Sequence, residues 1–281
     1  MVAPASRRQL SILAALWSTV PAGTPALREK RTNSRSGDLK LRAIFVLSAL
    51  WLLIAGAAMG AGKEAAGQTV DSGSFGVFMN GKRVATETFS IQQSGGGSTT
   101  SAQVKEEGGS GASQSSELQI TAAGAVIRYE WRELSPGKSA LVLVPNNEFL
   151  IERITQNPGD KPAEQPFLMP NTSIVLDNNF LVHRQVLAWR YLASSCAHDA
   201  GPMRCGPAQF GAIIPQERTS TRVNVQPVGE EKVKIRDTER QLLRINIKSD
   251  DDEWALWLDP QDHYKLLRVV KAGANTEVVR D

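Results

Sequence analysis

A chain of 281 residues with 23 glycines and 6% aromatic residues has room for one or two domains and suits strands joined by glycine turns. Its formal charge of +3 is uneven: residues 1–57 hold eight basic and two acidic residues, which leaves the remainder at −3. A mildly acidic body offers no basic face for a phosphate backbone, so nucleic acid is excluded as a partner.

Residues 1–39 are polar, basic and proline-containing, and read as a non-folded extension or as a start assigned too early. Residues 40–60 read as a signal peptide: Lys40 and Arg42, an apolar run from Ala43 to Ile54, then Ala55-Gly56-Ala57 as a cleavage site. The run is short of the roughly 20 apolar residues of a membrane span, although a retained anchor stays open. The expectation is an exported protein, periplasmic or in the cell envelope, with residues 61–281 as a single β-rich domain.

From residue 74 the pattern is strand and turn. Asn80-Gly81 lies between two strand-like runs and predicts a hairpin, because a type I′ turn needs positive φ at both positions. Residues 98–107 and 114–122 follow as polar strands. In "AVIRYEWREL", Ile127, Tyr129 and Trp131 share one face by alternation. "SALVLV" and "EFLIERI" are further strands, and residues 156–171 read as a Pro-rich loop.

Residues 176–196, "LDNNFLVHRQVLAWRYLASSC", break the pattern. Phe180, Leu187 and Tyr191 recur at helical spacing, with Asp177 placed to cap the first turn. A helix this apolar must bury most of its surface. Cys196 and Cys205 flank a Gly-Pro turn and, in an exported chain, read as a disulfide that pins the helix's C-terminal end to the sheet. After it, "RVNVQPVGEEKVKIR" predicts a hairpin around Gly229-Glu230, with Val223, Val225, Val233 and Ile235 all facing in. "QLLRINIK", "EWALWLD", "YKLLRVV" and "TEVVRD" close the chain.

These patterns predict a mainly β fold: a large curved antiparallel sheet, a half-barrel of about 10–11 strands, with one main helix on the concave face. The "FGVFMNGKRVATETF" hairpin, the "LDNNFLVHRQVLAWRY" helix and the "LWLDPQDHYKLLRV" strand pair resemble uncharacterised exported bacterial proteins of the DUF3108-like kind. These are similar in architecture to the LolA/LolB lipoprotein carriers. The resemblance implies a lipid or glycolipid in the concave face.

The candidate ligand-binding residues are Tyr129, Trp131, Phe180, His183, Leu187, Trp189, Trp254 and Trp257. Each has a plainer reading as core, and His183 as a structural histidine bonded to a backbone carbonyl. His183, His198 and His263 lack metal-ligand spacing, and Asp250 to Glu253 lacks a calcium-loop pattern and reads as a solvated hairpin tip. No catalytic residue, metal or cofactor is indicated, and no nucleophile, metalloprotease or phosphate-loop motif is present. Two functions lead, an apolar-ligand carrier or a structural or protein-interaction protein of the envelope that meets its partner at a sheet edge, and an enzyme, which would need polar groups converging in a cleft such as one around His183, is a distant third.

Overall fold

The computed structural model describes residues 67–135, 137–197, 203–250 and 252–281. The expected extension, signal peptide and His198 lie outside them. Among the described residues, no helix is long and apolar enough to cross a membrane.

The first strands form a meander whose members pair with their neighbours in sequence. They are β1 (Gln68–Met79), β2 (Lys82–Ser94), β3 (Gly97–Glu106), β4 (Gln114–Thr121), β5 (Val126–Glu133), β6 (Ala140–Asn146), β7 (Phe149–Thr155) and β8 (Ala163–Phe167). The β1–β2 turn is the expected one, with φ of 51° at Asn80 and 76° at Gly81. The last strands form a second meander: β12 (Ala208–Ile214), β13 (Thr219–Ile235), β14 (Thr238–Lys248), β15 (Glu253–Asp259), β16 (Lys265–Lys271) and β17 (Thr276–Arg280). β1 pairs antiparallel with β17 and joins the two meanders; β9 (Ile174–Val175) adds a short parallel edge beside β12.

The result is one 15-stranded sheet, ordered 8-7-6-5-4-3-2-1-17-16-15-14-13-12-9. The fold class is the expected one. The strand number is higher because the 156–171 loop contains β8, and because the short strands β9 and β12 carry too few alternating residues to stand out.

The two edges of this sheet come together. Leu118, Tyr129, Leu143, Leu150 and Phe167 from β4 to β8 pack with Val175 of β9 and Ile213 of β12. Polar contacts close the seam. Gln165 Nε2 donates to the carbonyl of Arg218 at 2.9 Å, and Val126 N donates to the Asn171 carbonyl at 2.7 Å.

The helix, α1 (Val182–Ser195), starts later than its sequence pattern implies. Asp177 does not cap it. Its Oδ1 accepts from Asn179 N at 2.7 Å, an Asx turn that holds residues 177–179 out of the helix. Val182, Leu187, Ala188, Tyr191 and Leu192 pack into a core with Phe75, Phe89, Val223, Ile245, Leu256 and Val269. Strands from both meanders therefore enclose α1.

Two β-bulges change which face residues occupy. β13 is a single strand, not a hairpin around Gly229. Opposite β14, Pro227 pairs with Ile245 but Gly229 pairs with Arg244, so Val228 is an extra residue. One extra residue inverts the alternation. Val223 and Val225 face the inner core, while Val233 and Ile235 join an outer cluster with Leu242, Trp257 and Leu267. At the hairpin tip Arg236 reaches Asp281, three strands away, at 3.1 Å, so the hairpin end folds over the outer face of β15–β17. In β5 a bulge opposite Gln119 and Ile120 leaves Val126 inside and Ile127 45% exposed, which corrects the expected face of Ile127.

Cys196 and Cys205 form a disulfide, as expected. It joins two short strands of its own, β10 (Cys196–Ala197) and β11 (Arg204–Cys205), which form a ladder separate from the main sheet. It therefore joins the C-cap residue of α1 to the chain entering β12 through a ladder of its own, with no direct link to a paired strand of the main sheet. The C-terminal turns of α1 are held by other groups: Trp189 Nε1 on the Tyr264 carbonyl at 2.9 Å and Arg190 Nη1 on the Gly124 carbonyl at 2.8 Å.

Candidate functional site: a buried polar cluster at the start of the helix

Glu87 occupies an inward position of β2 between Ala85 and Phe89, and is fully buried. Its carboxylate accepts from Leu181 N at 2.6 Å and Val182 N at 3.1 Å. The first N–H groups of a helix have no partner within it, and its N-terminus attracts negative charge. Glu87 thus caps α1 from across the core. No local cap motif encodes this contact, because donor and acceptor are 94 and 95 residues apart.

Asp177 organises the other side. Tyr129 Oη and Gln216 Nε2 both donate to its Oδ2, the latter at 2.6 Å. Gln216 also donates to Tyr129 Oη at 3.0 Å. Arg184 Nη1 donates to the Asp177 carbonyl at 3.2 Å, and its guanidinium lies 4.4 Å over the Trp254 ring. His183 Nδ1 accepts from Asp177 N at 3.3 Å, so Nε2 carries the proton, and it has no hydrogen-bond partner among the described residues.

Gln216 belongs to a 3-10 turn, Pro215–Glu217, that ends on Arg218 in the left-handed region with φ of 53°. This turn spans the seam. Glu217 bonds Asn178, and Arg218 Nε stands 3.5 Å from Glu152 on β7. Glu152 is fully buried, and neither of its oxygens has a hydrogen bond among the described residues.

Burial is the largest cause of six shifts in the cluster. It raises Glu87 to about 8 against the two N–H donors and Arg184. It raises Glu152 to about 7 and Asp177 to about 6, and takes Tyr129 well above 10. It lowers Arg184 to about 10 and His183 to about 3. A histidine that stays neutral across the ordinary range, with no exposure to solvent, is poorly placed to act as a general base. It is structural, though it accepts from a backbone N–H where bonding to a carbonyl was expected.

Seven of the eight sequence candidates reach the interior. Tyr129, Phe180, His183 and Leu187 are fully buried or nearly so, Trp254 is 4% exposed, and Trp131 and Trp189 are half-buried at its margin. Trp257 does not join them. It lies three residues from Trp254 on one strand, hence on the outer face, between Arg244 and Arg268 at 5.3 and 4.9 Å. The alternation of "EWALWLD" carried that signal. Glu87, Glu152, Asp177 and Gln216 were not sequence candidates for ligand contact. For Glu87 and Glu152 the available signal was a carboxylate at an inward position of an alternating strand.

Depressions that open to solvent among the described residues include three on the surface. One crosses β2–β5, one lies beside Arg153 and Glu164, and one lies beside Met169 and Phe210. None of the three is lined by a residue of α1.

The class defined by these features is a β-barrel-like protein made of one curved, largely antiparallel sheet around the one α-helix of the described residues. A solved structure of this general kind is similar over 75% of this chain and 94% of its own: a beta-barrel-like protein of the domain of unknown function DUF1849 from Brucella abortus, with 9% identity and a TM-score of 0.45. No family model and no curated protein matches the sequence.

Proposed function

We propose that this is a structural or protein-interaction protein of the cell envelope, with α1 as a fixed internal strut. One observation carries the reading: polar side chains tie α1 to the sheet along its length. Glu87 holds residues 181 and 182. Gln185 donates to Asp71 at 2.5 Å and accepts from Leu266 N at 3.0 Å, a donor beside the β16 bulge at Leu267. Asp71 is in turn clamped by both terminal nitrogens of Arg280 at 3.0 and 2.5 Å. Trp189 and Arg190 complete the series. A lid would have to break these buried bonds together, each at a net cost of about 1 kcal/mol and more where charge is involved.

A partner meets such a protein from outside. The edge at β8 suits strand addition poorly, because it lies at the seam, is five residues long and carries Pro166, which has no N–H to donate. An outer face is the better candidate.

The apolar-ligand reading, with its DUF3108-like and LolA/LolB-like resemblance, is the alternative. It is favoured by the half of the interior between β4–β8 and β12, whose apolar cluster takes no apolar side chain from α1 and meets it through the His183 ring, 5.7 Å from Tyr129. One experiment separates the two. Protein purified from its own host is analysed by native mass spectrometry, and in-cell photo-crosslinking is run in parallel. A single unliganded mass with a discrete crosslinked protein supports the strut reading; a co-purified lipid at stoichiometric level overturns it. The same spectrum tests export, since a mature chain should lack residues 1–39.

A further inference from the structure

The outer face of β2–β5 has an organisation that the interior does not explain. The register aligns its side chains in two rows running across the strands. One row is Thr88, Gln103, Ser115 and Arg132; the other is Ser90, Ser101, Glu117 and Glu130. Members of a row repeat at the inter-strand spacing of ~4.8 Å. Most of these side chains are short, and they leave a depression of about 550 Å³. Among the described residues, the side chains of Thr88, Ser90, Ser101, Gln103 and Ser115 form no hydrogen bond within the protein.

Glu117 faces Glu130 directly, and like charges in that position destabilise a sheet. Glu130 is neutralised, since Arg128 donates to it at 2.6 Å and Arg132 at 3.0 Å. Glu117 receives only Gln119 Nε2, at 2.7 Å. The two arginines offset Glu130, and Glu117 is left with its charge unpaired by a cation among the described residues, open to accept from a ligand.

The chemistry narrows the occupant. Phe89 and Ala102 lie under the depression but belong to the inner core, so its outward side chains present no apolar anchor for a lipid or a protein hot spot. Strand addition is unavailable, because each of these four strands is paired on both sides. Two carboxylates and one arginine in the rows repel a phosphate backbone. Hydroxyl, amide and carboxylate groups repeated at a fixed spacing fit a chain of hydroxyl-bearing units of similar length.

We propose that the outer face of β2–β5 binds an uncharged glycan chain laid across the strands. The serine and threonine hydroxyls and Gln103 exchange water for sugar hydroxyls. Glu117 accepts from neighbouring hydroxyls in charge-assisted bonds, and Arg132 donates to ring or linkage oxygens. No aromatic plate supplies stacking, so each sugar adds little and binding grows with chain length. The site adds to the envelope-protein reading and does not depend on it.

The test titrates the full chain with chitohexaose and with cellohexaose, followed by calorimetry and by backbone chemical shifts. Saturable binding of one hexamer is expected, weaker for its disaccharide, with shifts concentrated in residues 88–132. Ser101→Arg places a long charged side chain in the middle of a row and should weaken binding by about tenfold or more, with an unchanged unfolding midpoint. Glu117→Gln, which keeps size, should weaken it several-fold, and it serves as the readout if the arginine variant fails to fold. No saturable binding of either hexamer overturns the proposal, as does binding that both variants leave intact.

Discussion

Replacing Glu87 by glutamine should change how stability depends on pH. In the folded protein burial raises this carboxyl to about 8, whereas a free glutamate titrates near 4.5. The folded state therefore holds the proton more tightly than the unfolded chain. Its contribution to stability is fully present below about pH 4.5 and is lost as pH rises through 8. At ~1.4 kcal/mol per pH unit, the loss over that window is roughly 3–6 kcal/mol. Glutamine keeps the shape and removes the titration. It also offers one oxygen where the carboxylate offered two, so one of Leu181 N and Val182 N loses its acceptor, at a cost of about 1–2 kcal/mol. The variant should thus be less stable than the native chain at pH 5, and equal or more stable at pH 9. His183, Asp177 and Glu152 titrate in both proteins, so their contributions largely cancel in the difference. Urea unfolding at half-unit steps from pH 5 to 9 measures it. Parallel profiles for the two proteins would refute a buried, proton-holding Glu87.

Other perturbations probe separate parts of the fold. Phe180→Ala removes a fully buried ring and should cost about 3–5 kcal/mol in chemical unfolding. Val228 is the residue the bulge leaves unpaired, so deleting it keeps Pro227 opposite Ile245 and Gly229 opposite Arg244 and leaves Val233 and Ile235 facing Trp257 and Leu267; the unfolding midpoint of the deletion, like that of Val228→Ala at a position 53% exposed, should change little, and a sharp fall would refute the bulge. Reducing the Cys196–Cys205 bond should lower stability by ~2–3 kcal/mol. Because the bond closes its own ladder, hydrogen exchange should speed up in residues 191–206 and stay slow in 182–190; equal loosening of all of α1 would mean that the bridge, not the side-chain ties, holds the helix.

Local chemistry made much of this protein legible in its sequence. Asn80-Gly81 specifies its own turn, and alternation in "QLLRINIK" selects a buried face without help from distant residues. The spacing of Phe180, Leu187 and Tyr191 marks a helix that needs a sheet around it. Two cysteines nine residues apart find each other along the chain. What only the tertiary structure decided depends on partners remote in sequence or on a single unpaired residue. The bulge at Val228 inverts a face without altering the local pattern, since an extra residue is visible only against the neighbouring strand. The late start of α1 follows from an Asx turn at Asp177 and from a cap supplied by β2. Glu152, Tyr129 and Gln216 come together only because the sheet curls until its edges touch, and burial there raises the ionisation of Glu152 and Tyr129. A linear pattern reports which way a side chain points relative to its neighbours; which groups it then faces is set by the closure of the whole sheet.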